Sequence, residues 1–313
     1  MSNNRQWHAI VTERNTKKAA QFYPQIKSYD TLEEVINHPE LELIIVNTPN
    51  YTHFELAKQV LQAGKHVLIE KPISATLAQA QELFDLGREV KREVFVYQNR
   101  RWDSDFMSVK EVLETNQLGK LIEVHFRYDR WRPQIGPKTF KETPMPASGI
   151  LYDLGPHLLD QVISLFGKPL SFTKNLGSFR HLTAVPDYAF IHLQYPENLN
   201  IFITASLLVA QALPAFSING TRGSFIKQRT DMQEAQLDKG MSPLDLNYGL
   251  EEAGTEGELT CINPENGQLE STKVSALKGN FMAIFDAIHQ TIRERKPFPI
   301  TEADVLTQLE IIQ

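Results

Sequence analysis

The chain has 313 residues, 42% hydrophobic and 22% charged, enough to bury a sizeable core and to divide into two domains. Its formal net charge of −6, from 32 basic and 38 acidic side chains, gives no electrostatic footing for nucleic acid or an anionic membrane. The single cysteine, Cys261, excludes an internal disulfide and a multi-cysteine metal site. No apolar run approaches the ~20 residues of a bilayer span, no signal-peptide core is evident, and the expected location is cytoplasmic.

In chain order, residues 8–12 read as a short strand and 13–20 as the start of a helix. A helix follows near 29–36, with Asp30 or Thr31 as its N-cap and Glu33 and Glu34 in its first turn. Residues 43–47 form an apolar strand, Thr48-Pro49-Asn50 a turn, and 54–63 a helix stopped by Gly64. The run 67–69 is a third strand, 76–86 a helix closed by Gly87, and 94–97 a fourth strand. Short apolar strands alternating with helices predict βαβ units and a parallel sheet, so residues 1–100 form one such α/β domain.

The texture then changes. A helix is predicted at 106–117, a strand at 121–131 and, after a Pro/Gly-rich stretch at 133–149, a helix at 155–166. Strand-like runs follow at 171–178, 187–195, 199–209, 214–219 and 223–228, with helices at 280–294 and from 301. This half, 101–313, reads as an α+β domain with a large, open, mostly antiparallel sheet. The C-terminal helices are expected to pack back on the first domain.

A dinucleotide-binding domain opens with a strand and a Gly-x-Gly-x-x-Gly turn that holds the pyrophosphate on a helix N-terminus. No such turn occurs in this chain, and its first strand already ends in an acidic residue, Glu13, of the kind expected after a second strand. Either the fold lacks its phosphate cradle or Met1 is internal to a longer parent; the expectation is an N-terminally incomplete Rossmann-like domain lacking its first βα unit, with both ends of the chain clipped.

Charge at the end of a buried parallel strand sits where open α/β sheets bind ligands. Lys71 occupies that place, between Glu70 and Pro72, and is either a site residue or a surface lysine that ends a strand. His157 follows Gly155-Pro156, which places it in the first turn of a helix, where the positive dipole end keeps imidazole neutral and able to accept a proton. Asp153 lies just ahead, either orienting that imidazole or capping the helix. Arg14, beside Glu13, suits a ribose 2′-phosphate and favours NADP over NAD, the alternative being a solvated helix face. The remaining histidines show no metal spacing, so no metal is expected.

The Thr48-Pro49-Asn50 turn, Glu70-Lys71-Pro72 and the block from Tyr152 to Asp160 (YDLGPHLLD) together resemble the Gfo/Idh/MocA family. Further likeness lies in Asn99-Arg100-Arg101-Trp102-Asp103-Ser104-Asp105-Phe106, Arg130-x-Arg132-Pro133 and the turn at 219–225, similar to the NADP-dependent scyllo-inositol dehydrogenase-like members. The resemblance implies a nicotinamide-dependent oxidoreductase acting on an inositol, sugar or related polyol, with Lys71, Asp153 and His157 as its catalytic group. It implies that Thr48, Pro49, Asn50, His53 and Glu70 contact the cofactor alongside Lys71. It brings Arg101, Trp102, Asp105 and Arg132 near the substrate, while each of these, like Asn99 and Arg100, is equally readable as structural. A homodimer or homotetramer through the C-terminal sheet is implied as well. The rival readings are a non-catalytic dinucleotide-binding regulator of the same fold, and a fragment with little activity.

Overall fold

The computed structural model describes residues 11–12, 24–137 and 139–313. Two-residue strands β1 (Val11–Thr12) and β2 (Ser28–Tyr29) pair in parallel. Helix α1 (Leu32–Ile36) begins at Thr31, whose hydroxyl accepts from Glu34 N while the Glu34 carboxylate accepts from Thr31 N. That reciprocal cap selects Thr31 over Asp30. Strand β3 (Leu43–Val46) leads through a 3₁₀ turn into α2 (His53–Gln62), β4 (His66–Glu70) into α3 (Leu77–Val90), and β5 (Val94–Tyr97) completes a parallel sheet of order β3-β4-β5. Val67, Leu68 and Ile69 in the central strand have no solvent exposure, as both faces of a parallel sheet are covered. Each such side chain contributes about 1.5–3 kcal/mol by leaving water.

The second half runs α4 (Ser104–Glu114), β6 (Leu121–Asp129), the short α5 (Thr139–Glu142) and α6 (Ile150–Asp153), then α7 (Gly155–Phe166). Strands β7 (Ser171–Gly177), β8 (Tyr188–Gln194), β9 (Asn200–Ser206), β10 (Phe216–Gly220) and β11 (Gly223–Lys227) follow, then α8 (Gln233–Asp238), β12 (Gly257–Ile262) and β13 (Leu269–Val274). They build an eight-stranded sheet of order β13-β12-β11-β10-β6-β9-β8-β7, antiparallel except where β6 runs parallel to β9. Strand β6 buries Val124, Phe126 and Tyr128 on one face, the alternation its sequence carries. Strands β12 and β13 lie outside the sequence expectation. Strand β13 is an edge strand reading LESTKV with five exposed residues, so it has no buried face to write a hydrophobic period.

Helices α9 (Met282–Glu294) and α10 (Glu302–Ile312) return to the parallel sheet, placing Ile284, Ile288, Val305 and Leu309 in its core. The last turn of α10 carries Ile311 and Ile312 into the other core, and the helix packs on α7. Gln308 bridges the halves, accepting from Gln98 Nε2 at 2.7 Å and donating to Asp160 Oδ1 at 3.0 Å. Among the described residues no helix is long and apolar enough to cross a membrane.

Candidate active site

The three parallel strands end on one edge, and a cavity of about 670 Å³ opens there against α6, α7 and the end of β6. Glu70 and Lys71 leave β4 into this cavity, and the Lys71–Pro72 bond is cis. Lys71 Nζ donates to the backbone carbonyl of Asp153 at 2.6 Å and lies 3.5 Å from Asp153 Oδ1. Lys141, from α5, reaches the same carboxylate oxygen at 2.5 Å. Burial pushes the Asp153 carboxyl up, but the ammonium groups of Lys71 and Lys141 outweigh that and hold it at about 2. Burial lowers the Lys71 ammonium, against the pull of Asp153.

Asp153 ends α6 and His157 stands in the first turn of α7, with Pro156 beside it at the helix start. His157 is 7% exposed and its Nδ1 is buried without a hydrogen-bond partner. Burial, with the charges of Lys71, Arg100, Arg229 and Arg130, holds this imidazole well below the ordinary histidine range. It is therefore neutral and has a nitrogen unengaged by protein. Glu70, also largely withdrawn from water, has its carboxyl raised by that burial, and one of its oxygens accepts from Lys71 N at 3.2 Å.

The residues expected to contact a cofactor divide. Thr48, Pro49 and Asn50 stand at the carboxyl end of β3, with Thr48 Oγ1 2.6 Å from Thr52 Oγ1 and Asn50 Nδ2 donating to Ala147 O at 2.9 Å. His53 is fully buried behind them, its ring nitrogens 2.7 Å from Pro72 O and 2.8 Å from Thr48 O. It ties the β3 turn to the Lys71 turn instead of facing the cavity. Arg14 lies outside the described residues.

The residues expected near substrate divide as well. Arg132 lines the cavity, with Asn99 and Arg100. Arg101, Trp102 and Asp105 do not: Arg101 and Trp102 lie where the two halves meet, and Asp105 is buried within the second half. The Arg101 fork takes both oxygens of buried Asp160 at 2.8 and 2.9 Å and reaches Asp304 at 3.2 Å. Trp102 packs against the core of the parallel sheet, and the fully buried Asp105 carboxylate accepts from Thr230 N and Asp231 N at 2.8 and 3.1 Å. Both carboxylates thus take their hydrogen bonds from groups within the protein.

The sequence reading did not single out Tyr97, Arg130, Lys141, Arg180 or Glu234, all on the cavity wall. Arg130 sat inside a quoted motif, whereas Lys141 and Arg180 lie in stretches with no periodicity to mark them. Among the described residues no group of three His, Cys, Asp or Glu side chains is placed to hold a metal ion.

A nicotinamide fits this edge. The crevice lies outside the carboxyl ends of parallel strands, and the orphaned Nδ1 of His157 is a buried polar atom awaiting a partner. Glu70 and Lys71 line that crevice, while no Gly-x-Gly-x-x-Gly turn occurs in the chain to hold the phosphates.

Comparison with known proteins matches residues 2–98 to the Gfo/Idh/MocA model described as oxidoreductase family, NAD-binding Rossmann fold. Residues 110–313 match the corresponding C-terminal alpha/beta domain. The oxidoreductase YhhX of Escherichia coli is 37% identical over 310 residues, covering 98% of this chain and 88% of that protein. The scyllo-inositol 2-dehydrogenase (NADP(+)) IolW of Bacillus subtilis is 33% identical over 304 residues, covering 97% and 84%. The crystal structure of an oxidoreductase from Bacillus cereus superposes with a TM-score of 0.89 at 34% identity, covering 97% of this chain and 86% of that one.

Proposed function

The chain belongs to the Gfo/Idh/MocA oxidoreductase family, and from that premise we propose that it moves a hydride between NADP and a secondary alcohol or ketone of an inositol, sugar or related polyol. The observation that carries this reading is the unpartnered Nδ1 of a buried, neutral His157 in the same cavity as the Lys71–Asp153 pair. The nicotinamide, when bound, supplies the hydride acceptor or donor.

In this reading the substrate hydroxyl sits between Lys71 and His157. Lys71, fixed by the Asp153 carbonyl, donates to the substrate oxygen and stabilises the negative charge that develops there. His157 takes the hydroxyl proton; the growing charge beside it favours imidazolium at that moment and raises its basicity. Asp153, held ionised, serves as an anchor for two lysines and not as the proton acceptor. The wall excludes bulk water from one side through Ile150 and Leu154. A regulator would have no use for this acid–base set.

NADP over NAD rests on Arg14 and on the NADP-linked name of one relative. The half-exposed aromatic patch where His125 and His192 stack on Phe202, at 4.9 and 4.7 Å, supports association through the large sheet.

The test is a fluorescence titration with NADPH and NADH in parallel, followed by a screen of inositols and hexoses for cofactor reduction. NADPH binding at least tenfold tighter than NADH, with turnover of a polyol, is the expected result. Binding of neither cofactor, or no turnover across the screen, would overturn the reading.

A further inference from the structure

Four of the cationic side chains on the cavity wall are matched by carboxylates. Lys71 and Lys141 share Asp153, Arg180 is clasped by Glu142 at 2.6 Å and Asp187 at 3.2 Å, and Arg100 is held by Glu234 at 2.8 Å and Asp103 at 3.1 Å. Arg130 is different. Its Nη2 donates to the Tyr128 hydroxyl at 3.2 Å and its guanidinium lies 4.6 Å from the centre of that ring, yet among the described residues it forms no ion pair. The side chain is half-buried, and its charge bears on both Asp153 and His157. Arg132, two residues on, lines the same cavity and is exposed, also without an ion pair among the described residues. Just past β6 the chain stays extended, with Arg130 N donating to Ser206 O and Arg132 N to Leu207 O, so side chains at i and i+2 project to one side.

A half-withdrawn guanidinium without a counter-ion is unfavourable in the free protein, and its planar fork matches a carboxylate or phosphate. Its stack on Tyr128 leaves the fork oriented before any ligand arrives. Building on the oxidoreductase reading above, we infer that Arg130, assisted by Arg132, forms a subsite for an anionic substituent, so that the substrate is a sugar or polyol bearing a carboxylate or a phosphate. The reacting carbon lies at His157 and the anion at the mouth of β6. The anion supplies the ion-pair partner that no carboxylate among the described residues provides, and the two arginines discriminate against neutral polyols of the same ring shape.

The experiment compares matched trios: a neutral hexose, its uronate and its 6-phosphate, for glucose, galactose and mannose. Binding to the wild-type protein is measured by calorimetry, and turnover is measured in parallel with NADP. The expected result is at least tenfold tighter binding of one charged class, uronate or phosphate, which also tells the two sources apart. Arg130→Gln should bring the charged-to-neutral ratio within about threefold, and Arg130→Lys should restore part of it. Equal binding of neutral and charged members, no binding of any charged member, or a preference that survives Arg130→Gln would overturn the subsite. Charge-selective binding without turnover would uphold the subsite while counting against the oxidoreductase substrate reading. Turnover of neutral hexoses without charge preference would do the reverse.

Discussion

Lys71 is held closer to the main chain of Asp153 than to its carboxylate: Nζ lies 2.6 Å from the carbonyl oxygen and 3.5 Å from Oδ1. The backbone contact does not depend on the identity of residue 153. Removing the carboxylate should therefore leave the lysine in place, and removing the lysine should be the more damaging change.

Lys71→Met is expected to lower kcat by about 10²–10⁴-fold, the usual span for a lost proton-transfer or oxyanion partner. Asp153→Asn should cost less, on the order of tenfold to a hundredfold, because the carbonyl anchor remains and what changes is the charge set around Lys71. Steady-state kinetics beside circular dichroism of each variant checks the ranking. Asp153→Asn falling further than Lys71→Met would sink it.

The His157 imidazole is held below its ordinary value of 6.5 by burial and by the surrounding cations. Its proton-accepting form is therefore present through neutrality and is lost only as pH falls through the depressed value. Alcohol oxidation should decline well below pH 6.5, and His157→Asn should abolish that limb along with most of the rate. Below pH 6.5 the unfolded chain takes up a proton that the folded chain refuses, so stability should fall with decreasing pH, less steeply in His157→Asn. A pH profile of kcat/KM and urea titrations at several pH values read these two effects separately.

Arg101→Ala should act on stability and leave the pocket alone. It would strand the carboxylate of Asp160, whose side chain is 2% exposed, at a cost of about 3–5 kcal/mol. A large drop in Tm, with KM values within about twofold, is the expected pattern; Asp160→Asn in the same chain should recover part of the loss. A KM effect with unchanged Tm would return Arg101 to the substrate.

What the sequence made legible follows from where local rules are strong. The end of a buried apolar run marks Lys71, and Gly155-Pro156 ahead of a hydrophobic helix marks His157, so both positions are readable without a fold. The roles of Arg101 and Asp105 are not. Whether Arg101 faces substrate or protein depends on Asp160, 59 positions away, and the fate of Asp105 depends on the backbone at 230–231. Arg130 needed knowledge of which cations already have partners, a property of the assembled wall. The edge strand at 269–274 has no buried face, so no periodicity announced it.

Gln308 clamps Gln98 on one side and Asp160 on the other, and its helix lies in both cores. Those ties lie at the seam between the halves, away from the border of the cavity. Much of that border is the irregular stretch carrying Gln134, Gly136, Lys141 and Glu142. Anchor and rim are thus separate modules: the rim can be rewritten, by evolution or by an engineer, to admit a new ligand while the alignment of the two halves is inherited intact.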